Sequence, residues 1–244
     1  MLSRNQIKLI KSLSLKKNRQ QHGWFTVEGI KGISEFLNSN YNLKTLYTTK
    51  SMFEAPEHLV HDITATELKK VSALKNPNVA LAVFEIPEKK PVQDTGLIVA
   101  LDDVRDPGNL GTIIRLCDWY GVVDLVCSVN TVDCYNAKVV QATMGSLTRV
   151  NVHYLDLEHY LNTSGLTVMG TLLEGENIYT ANIKQEGIVV LGNEANGISE
   201  AIKNCIDRQL TIPKFGTTKA TESLNVANAT AIVLSEFKRR SIEM

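Results

Sequence analysis

The chain of 244 residues has no net charge: 26 lysines and arginines are balanced by 26 aspartates and glutamates. A uniformly basic surface is thereby excluded, and any polyanion must be met on one face of the molecule. No apolar run approaches the roughly 20 residues that a membrane-spanning helix requires, so no membrane partner is expected. The opening segment MLSRNQIKLIKSLSLKKNRQQ lacks the apolar core and cleavage site of a secretory signal, which makes the cytoplasm the expected compartment. Four cysteines (Cys117, Cys127, Cys134 and Cys205) form no CxxC pair and no Cys/His ligand spacing. Cys117 and Cys127 lie inside apolar helix and strand patterns, so buried thiols and no metal site are expected. Also missing are a G-x-G-x-x-G turn after the first strand and a G-x-x-x-x-G-K-[ST] loop, which argues against a conventional doubly wound nucleotide enzyme. No internal repeat is evident.

What is present is uneven. Before Gly23 the chain carries Arg4, Lys8, Lys11, Lys16, Lys17 and Arg19 and no acidic residue. That stretch reads either as an electrostatic footprint for phosphates or as a solvated helix face. After this basic leading helix come an apolar strand (24–29), a helix (30–37), a β-rich segment (42–50), a helix opened by the capping-box pair Thr64 and Glu67 (64–74), and a strand (80–86). PEKKPVQDTG (87–96) then breaks the pattern with two prolines, four charges and a glycine. A domain boundary is expected there, with residues 1–90 as the first domain, 91–96 as linker and 97–244 as the second domain.

The second part alternates apolar strands (97–104, 124–129, 150–155, 166–173, 188–192 and 208–213) with helices (110–120, 137–145, 157–162, 199–204 and 224–240). Strands so continuously apolar are covered on both faces, which gives an α/β class with a mainly parallel sheet. The final helix ends on Lys238, Arg239 and Arg240, charges favourable at a helix carboxyl terminus.

Three segments place polar residues where such strands end: LDDVRDPGNLGTIIRLCDWYG (101–121), IVVLGNEANGIS (188–199) and LTIPKFGTTKATESLNVANA (210–229). In open α/β sheets ligand chemistry collects at the carboxyl ends of strands. Asn109, Gly111 and Arg115 combine an amide, a close-approach glycine and a guanidinium, a set suited to a phosphorylated or polyanionic substrate. Gly192 and Gly197 flank Glu194 and let the backbone approach a ligand. Ser223 and Asn225 sit at the start of the last helix, where both are also plausible caps.

DPGNLGTIIR, LGNEANGIS and IPKFG…SLNVANA resemble the three motifs of the SpoU-type RNA 2′-O-ribose methyltransferases of the SPOUT superfamily. The likeness covers about 96–244, including NAKVVQATMGS (136–146). By length and layout the first domain is similar to the small ribosomal-protein-like α/β substrate-binding domain often found ahead of that catalytic domain. The resemblance implies a trefoil-knotted sheet with helices on both faces, bound S-adenosylmethionine, a homodimer, and a tRNA or rRNA substrate methylated on a ribose 2′-hydroxyl. Ordinary folds are essentially unthreaded, so no general physical rule would have suggested the knot.

Carried over, the motif residues are Asn109 and Arg115, Glu194, and Ser223 with Asn225. Arg115 is a poor free base, its pKa being above about 12, and is better suited to clamping a backbone phosphate and presenting the hydroxyl. Glu194 either orients Arg115 or Asn109, accepts a hydrogen bond from substrate, or serves only as a helix amino-terminal carboxylate. Asn225 either binds substrate or caps its helix. Gly192, Ile212 and Leu224 match the positions that hold the cofactor, where main-chain groups read adenine and apolar side chains cover it. Thr171, with 172–175 after it, ends another strand and is expected to line the same pocket. Arg4, Lys8, Lys16, Lys17 and Arg19 are the RNA-contact candidates. The chain departs from the family pattern in a longer loop, 214–222, which either extends phosphate contacts through Lys214 and Lys219 or is simply a mobile loop. The alternative is a non-catalytic RNA-binding or ribosome-assembly factor that keeps the fold, an option disfavoured by the presence of every motif residue.

Overall fold

The Ser3 hydroxyl accepts from the Gln6 N–H while the Gln6 side chain accepts from the Ser3 N–H, and this capping box starts helix α1 (Arg4–Ser12). In the computed structural model, which describes residues 1–216 and 223–242, the expected leading helix is two helices. The chain turns at Leu13, whose side chain is buried, and resumes as α2 (Lys16–His22). Asn18 Nδ2 donates to the Ser12 carbonyl, and Arg19 donates to those of Leu13 and Ser14, so the freed carbonyls of α1 are satisfied. Then follow β1 (Trp24–Glu28), α3 (Ile30–Leu37), β2 (Leu43–Thr48), β3 (Val60–Asp62), α4 (Ala65–Val71) and β4 (Ala80–Glu85). The sheet order is β1-β4-β2-β3, antiparallel except for the β2–β3 pair. Strand β3 has three residues and little burial, too short for alternation to mark it.

The expected Thr64–Glu67 capping box opens α4. Glu67 also accepts from the Leu2 N–H. These backbone donors, Thr64 first, lower its carboxyl to about 2.

The second half contains β5 (Leu97–Leu101), α5 (Pro107–Trp119), β6 (Asp124–Ser128), α6 (Ala137–Thr143), β7 (Asn151–Leu155), α7 (Leu157–Thr163), β8 (Val168–Asn177), β9 (Gly187–Leu191), α8 (Glu200–Lys203), β10 (Arg208–Thr211) and α9 (Val226–Ile242). The sheet order is β10-β8-β9-β5-β6-β7, and every pairing is parallel. Every residue of β5 and β9 is buried, as expected of strands covered on both sides. On one face Ile98, Ala100, Val126 and Val190 pack with Leu157 and Leu161 of α7 and Ile202 of α8. The alternate residues of β5 point the other way; α5 packs against β6 and α9. Toward the carboxyl end the β8–β10 ladder slips: Gln209 pairs with Gly170 but Leu210 with Glu176, so residues 171–175 bulge out of β8 without partners in β10.

The contacts divide the chain into two units, 1–89 with 133–148, and 90–132 with the residues from 149 onward. The segment 133–148, which local sequence pattern alone assigns to the second domain, packs with the first unit. Tyr135 joins a ring cluster with Phe25, Tyr41, Phe36 and Phe84. Burial pushes Tyr41 up to about 12 and Tyr135 further. Gly145 has φ +98, and a Cβ there would lie 2.5 Å from the Glu35 side chain, so this segment seats on α3 only with glycine at that point.

Arg19 corrects one expectation. It is 2% exposed, ion-paired to Asp133 and bonded to two carbonyls, and so is withdrawn from any phosphate surface. Arg4, Lys8, Lys16 and Lys17 are exposed. No helix among the described residues is long and apolar enough to cross a membrane.

Candidate active site

Helix α5 is set by two local devices. Asp106 is its N-cap and accepts from the Asn109 N–H at 2.8 Å; Pro107 occupies the first turn, where a missing N–H costs nothing. With its backbone N–H satisfied, Asn109 presents its whole side chain at the end of β5. Its Nδ2 donates to Glu194 Oε1 at 2.7 Å, and its Oδ1 accepts from Asn225 Nδ2 at 3.0 Å. A carboxylate only accepts, so the Glu194 contact fixes which way the Asn109 amide faces. The three segments singled out in the sequence thus meet in one hydrogen-bonded chain.

Each outer member is held in turn. Asn225 Oδ1 accepts from the Ala227 N–H at 3.0 Å and the Asn228 N–H at 3.3 Å, so Asn225 caps the start of α9 and reaches Asn109 at the same time. Glu194 rides on a tight loop closed by mutual backbone bonds of 2.9 Å between Asn193 and Gly197. Asn193 Oδ1 accepts from the Ala195 and Asn196 N–H groups, while its Nδ2 donates to the Asp103 carbonyl at 2.7 Å. Asp103 has φ +57 and ion-pairs with Arg105, which raises the Arg105 pKa.

These residues line an open cleft: Arg105, Asp106, Asn109, Asn193, Glu194 and Asn225. Sequence reasoning missed Arg105 and Asn193. The signal was there in both cases, since each lies inside a segment singled out above, Asn193 between Gly192 and Glu194 and Arg105 four residues before Asn109.

Other expected site residues stand apart from the cleft. Arg115 is exposed and, six positions after Asn109, lies about 120° round the helix from it. It shares the solvent face of α5 with Thr112 and with Trp119, which is 83% exposed. Gly192 is required by its own chain: a Cβ there would lie 2.2 Å from the Gly197 carbonyl carbon and the Ile198 nitrogen. Thr171 Oγ1 donates to the Val190 carbonyl at 3.0 Å, tying β8 to β9 where the ladder with β10 breaks. Ile212 follows β10 half-buried, and Ser223 and Leu224 are exposed just ahead of Asn225. Lys214 is exposed; Lys219 lies outside the described residues.

The strand ends suit an adenosyl group. Residues 171–175 carry backbone that β10 does not pair, and Leu173 and Leu224 leave apolar side chains 67% and 49% exposed. Among the described residues no group of His, Cys, Asp and Glu could hold a metal ion.

Comparison with known proteins agrees with this layout. The SpoU rRNA Methylase family model matches residues 96–235, and that of the MRM3-like substrate binding domain matches residues 4–82. The 23S rRNA (guanosine(2553)-2'-O)-methyltransferase RlmP of Bacillus subtilis is 31% identical over 93% of this chain and 94% of its own. A solved TrmH-family structure from Porphyromonas gingivalis is 38% identical, with a TM-score of 0.91 over 98% of this chain and 99% of that one. The AdoMet-bound rRNA methyltransferase of Sinorhizobium meliloti is 29% identical, with a TM-score of 0.86 over 98% and 96% of the two chains. This chain belongs to the SpoU rRNA methylase family.

Proposed function

We propose that this protein is an S-adenosylmethionine-dependent methyltransferase that modifies a ribose 2′-hydroxyl in RNA, with large-subunit rRNA as the substrate. The observation that carries this is the bonded chain Glu194–Asn109–Asn225, which joins three motif segments at the carboxyl ends of parallel strands. The names of the relatives support the same chemistry.

When bound, S-adenosylmethionine supplies a methyl group already activated on a sulfonium. What remains for the protein is alignment of the acceptor hydroxyl, and well-placed binding groups supply it. Thr171, Gly192, Ile212 and Leu224 would hold the cofactor through main-chain contacts and apolar cover. Asn109 and Asn225 present amide edges that Glu194 and the α9 cap keep in place, and Ser223, two residues ahead of Asn225, would add a hydroxyl toward the substrate. Arg115 clamps a phosphate next to the target ribose; a guanidinium binds phosphate by paired, charge-assisted bonds and stays protonated.

Arg115 does not line the cleft of its own chain, and exposed Trp119 shares its helix face. We take both as support for a homodimer that brings Arg115 to the substrate. The knotted carboxyl-terminal topology and a cytoplasmic location complete the proposal. Arg4, Lys8, Lys16 and Lys17 add sequence-independent phosphate contacts.

Incubation with radiolabelled S-adenosylmethionine and separated rRNA and tRNA tests it. Labelled 2′-O-methylnucleotide should appear in rRNA, and Arg115→Ala should slow transfer about 100-fold with cofactor affinity kept within about twofold. Labelling of neither RNA refutes the proposal and leaves the non-catalytic RNA-binding reading.

A further inference from the structure

A second cleft lies wholly within the first unit, between the β1–α3 turn and the end of α6. Its floor is apolar, from Val27, Ile30, Val140 and Met144. Its rim is polar and unused. The side-chain amides of Asn78 and Gln141 are exposed and have no hydrogen-bond partner among the described residues. Gln141 Nε2 stands over Gly29, 3.8 Å from where a Cβ would be. Helix α3 starts at Gly29 without a side-chain cap, so its first N–H groups open onto the cleft beside exposed Lys31. Glu28 is buried at one edge, accepting from the Ser72 hydroxyl and from the Ala73 N–H at 2.8 Å. Because a carboxylate has about four lone-pair sites, it keeps capacity for a further donor.

Backbone strain points to the same place. Among the described residues only Val79, Asp103 and Met144 are non-glycine residues with positive φ. Asp103 adjoins the candidate active site. Met144 lines this second cleft, and Val79, at φ +61, follows its rim residue Asn78. A β-branched residue in that region is a true outlier, and such strain collects where a structure must present a group. Here Thr49 fastens the turn by donating its N–H at 2.9 Å and its hydroxyl at 3.1 Å to the Val79 carbonyl.

We propose that this cleft binds one unpaired nucleotide of the RNA substrate. The base lies on the apolar floor and its edge is read by Asn78, Gln141 and Glu28. Its phosphate lies toward Lys31 and the start of α3. Unpaired bases are what sequence-specific RNA readers take, and amides beside an apolar surface are the means. Glu28 can only accept, so it suits the exocyclic amino group of adenine or cytosine, whereas the one edge donor of uracil, N3–H, is flanked by two carbonyl oxygens that the carboxylate repels. This rests on the RNA-modifying reading above.

The test uses the full chain and 5′-fluorescent hexanucleotides rA6, rC6 and rU6, followed by anisotropy. Wild type should bind rA6 or rC6 at least about fivefold more tightly than rU6. Asn78→Ala and Gln141→Ala, both at exposed positions, should each erase most of that preference while melting as wild type does. Equal affinities for the three oligomers, no binding of any, or unchanged preference in both variants would overturn the proposal. Methyl transfer to whole rRNA, measured on the same wild-type preparation, reports separately on the enzymatic reading. A protein that methylates rRNA but shows no base preference refutes only the cleft.

Discussion

Replacing Asn109 by alanine removes the middle member of the Glu194–Asn109–Asn225 chain and little else. Two hydrogen bonds are lost, at 2.7 and 3.0 Å. Buried, the bond to a carboxylate would contribute about 1.5–3 kcal/mol and the neutral one about 0.5–1.5 kcal/mol. All three side chains are exposed or on the rim of an open cleft, so water replaces both partners and the loss of fold stability is only about 0.5–1 kcal/mol. For a chain of this size that lowers Tm by about 1–4 °C. The effect on methyl transfer should be larger, because Glu194 and Asn225 lose their common reference. A misplacement of about 1 Å in a positioning group costs on the order of 100-fold in rate. Single-turnover transfer from labelled cofactor to rRNA measures the rate, and calorimetry measures cofactor affinity, which should stay within about twofold. Asn225→Ala and the double variant complete a cycle. If the residues act as one unit, the double variant is hardly slower than either single one. Transfer within about threefold of wild type for Asn109→Ala, or strictly additive losses, would refute the positioning role.

Arg19→Ala should behave unlike the other basic residues of the opening segment. It strands Asp133 and two carbonyls, so urea unfolding should show a loss of about 3–5 kcal/mol, whereas Lys8→Ala should change stability by less than about 0.5 kcal/mol; equal effects would contradict the burial of Arg19. Glu236, 5% exposed, is lowered from 4.5 to about 2 by hydrogen bonds from Arg239 and then Arg240. Its folded value lies below its unfolded one, so its contribution is complete above about pH 5 and fades as pH falls toward 2. The stability gap between wild type and Glu236→Gln should therefore be constant near neutral pH and close across that acid range; a gap independent of pH would show that the carboxylate charge is not what α9 uses.

Strands were legible where burial was two-sided. The runs that became β5, β6 and β9 could hardly be anything else between turns, whereas β3, three residues of which two are exposed, left no pattern to read. Local pattern also could not tell that 133–148 packs with the first unit, because an apolar helix face does not say which partner it meets. Arg19 shows the same limit. Its charge was evident, but its burial was decided by Asp133, 114 residues away. Gly192 was chosen for close backbone approach to a ligand, and the structure adds a neighbour that the segment alone did not reveal, its own chain at Gly197 and Ile198.

The candidate site was legible as residues but not as an arrangement. Asn109, Glu194 and Asn225 each stand in a recognisable segment, yet the two bonds that join them span 85 and 116 residues. Helical periodicity alone could have shown that Arg115 faces away from Asn109, because six residues do not complete whole turns. At Asn109 local and distant constraints act on different atoms. Asp106 holds its backbone N–H, a contact three residues long, and so frees both ends of its amide for partners from the two later segments. A substitution at Asp106 should therefore disturb the same chain from the helix side, which makes the N-cap of α5 part of the site although it touches neither Glu194 nor Asn225 in the bonds described.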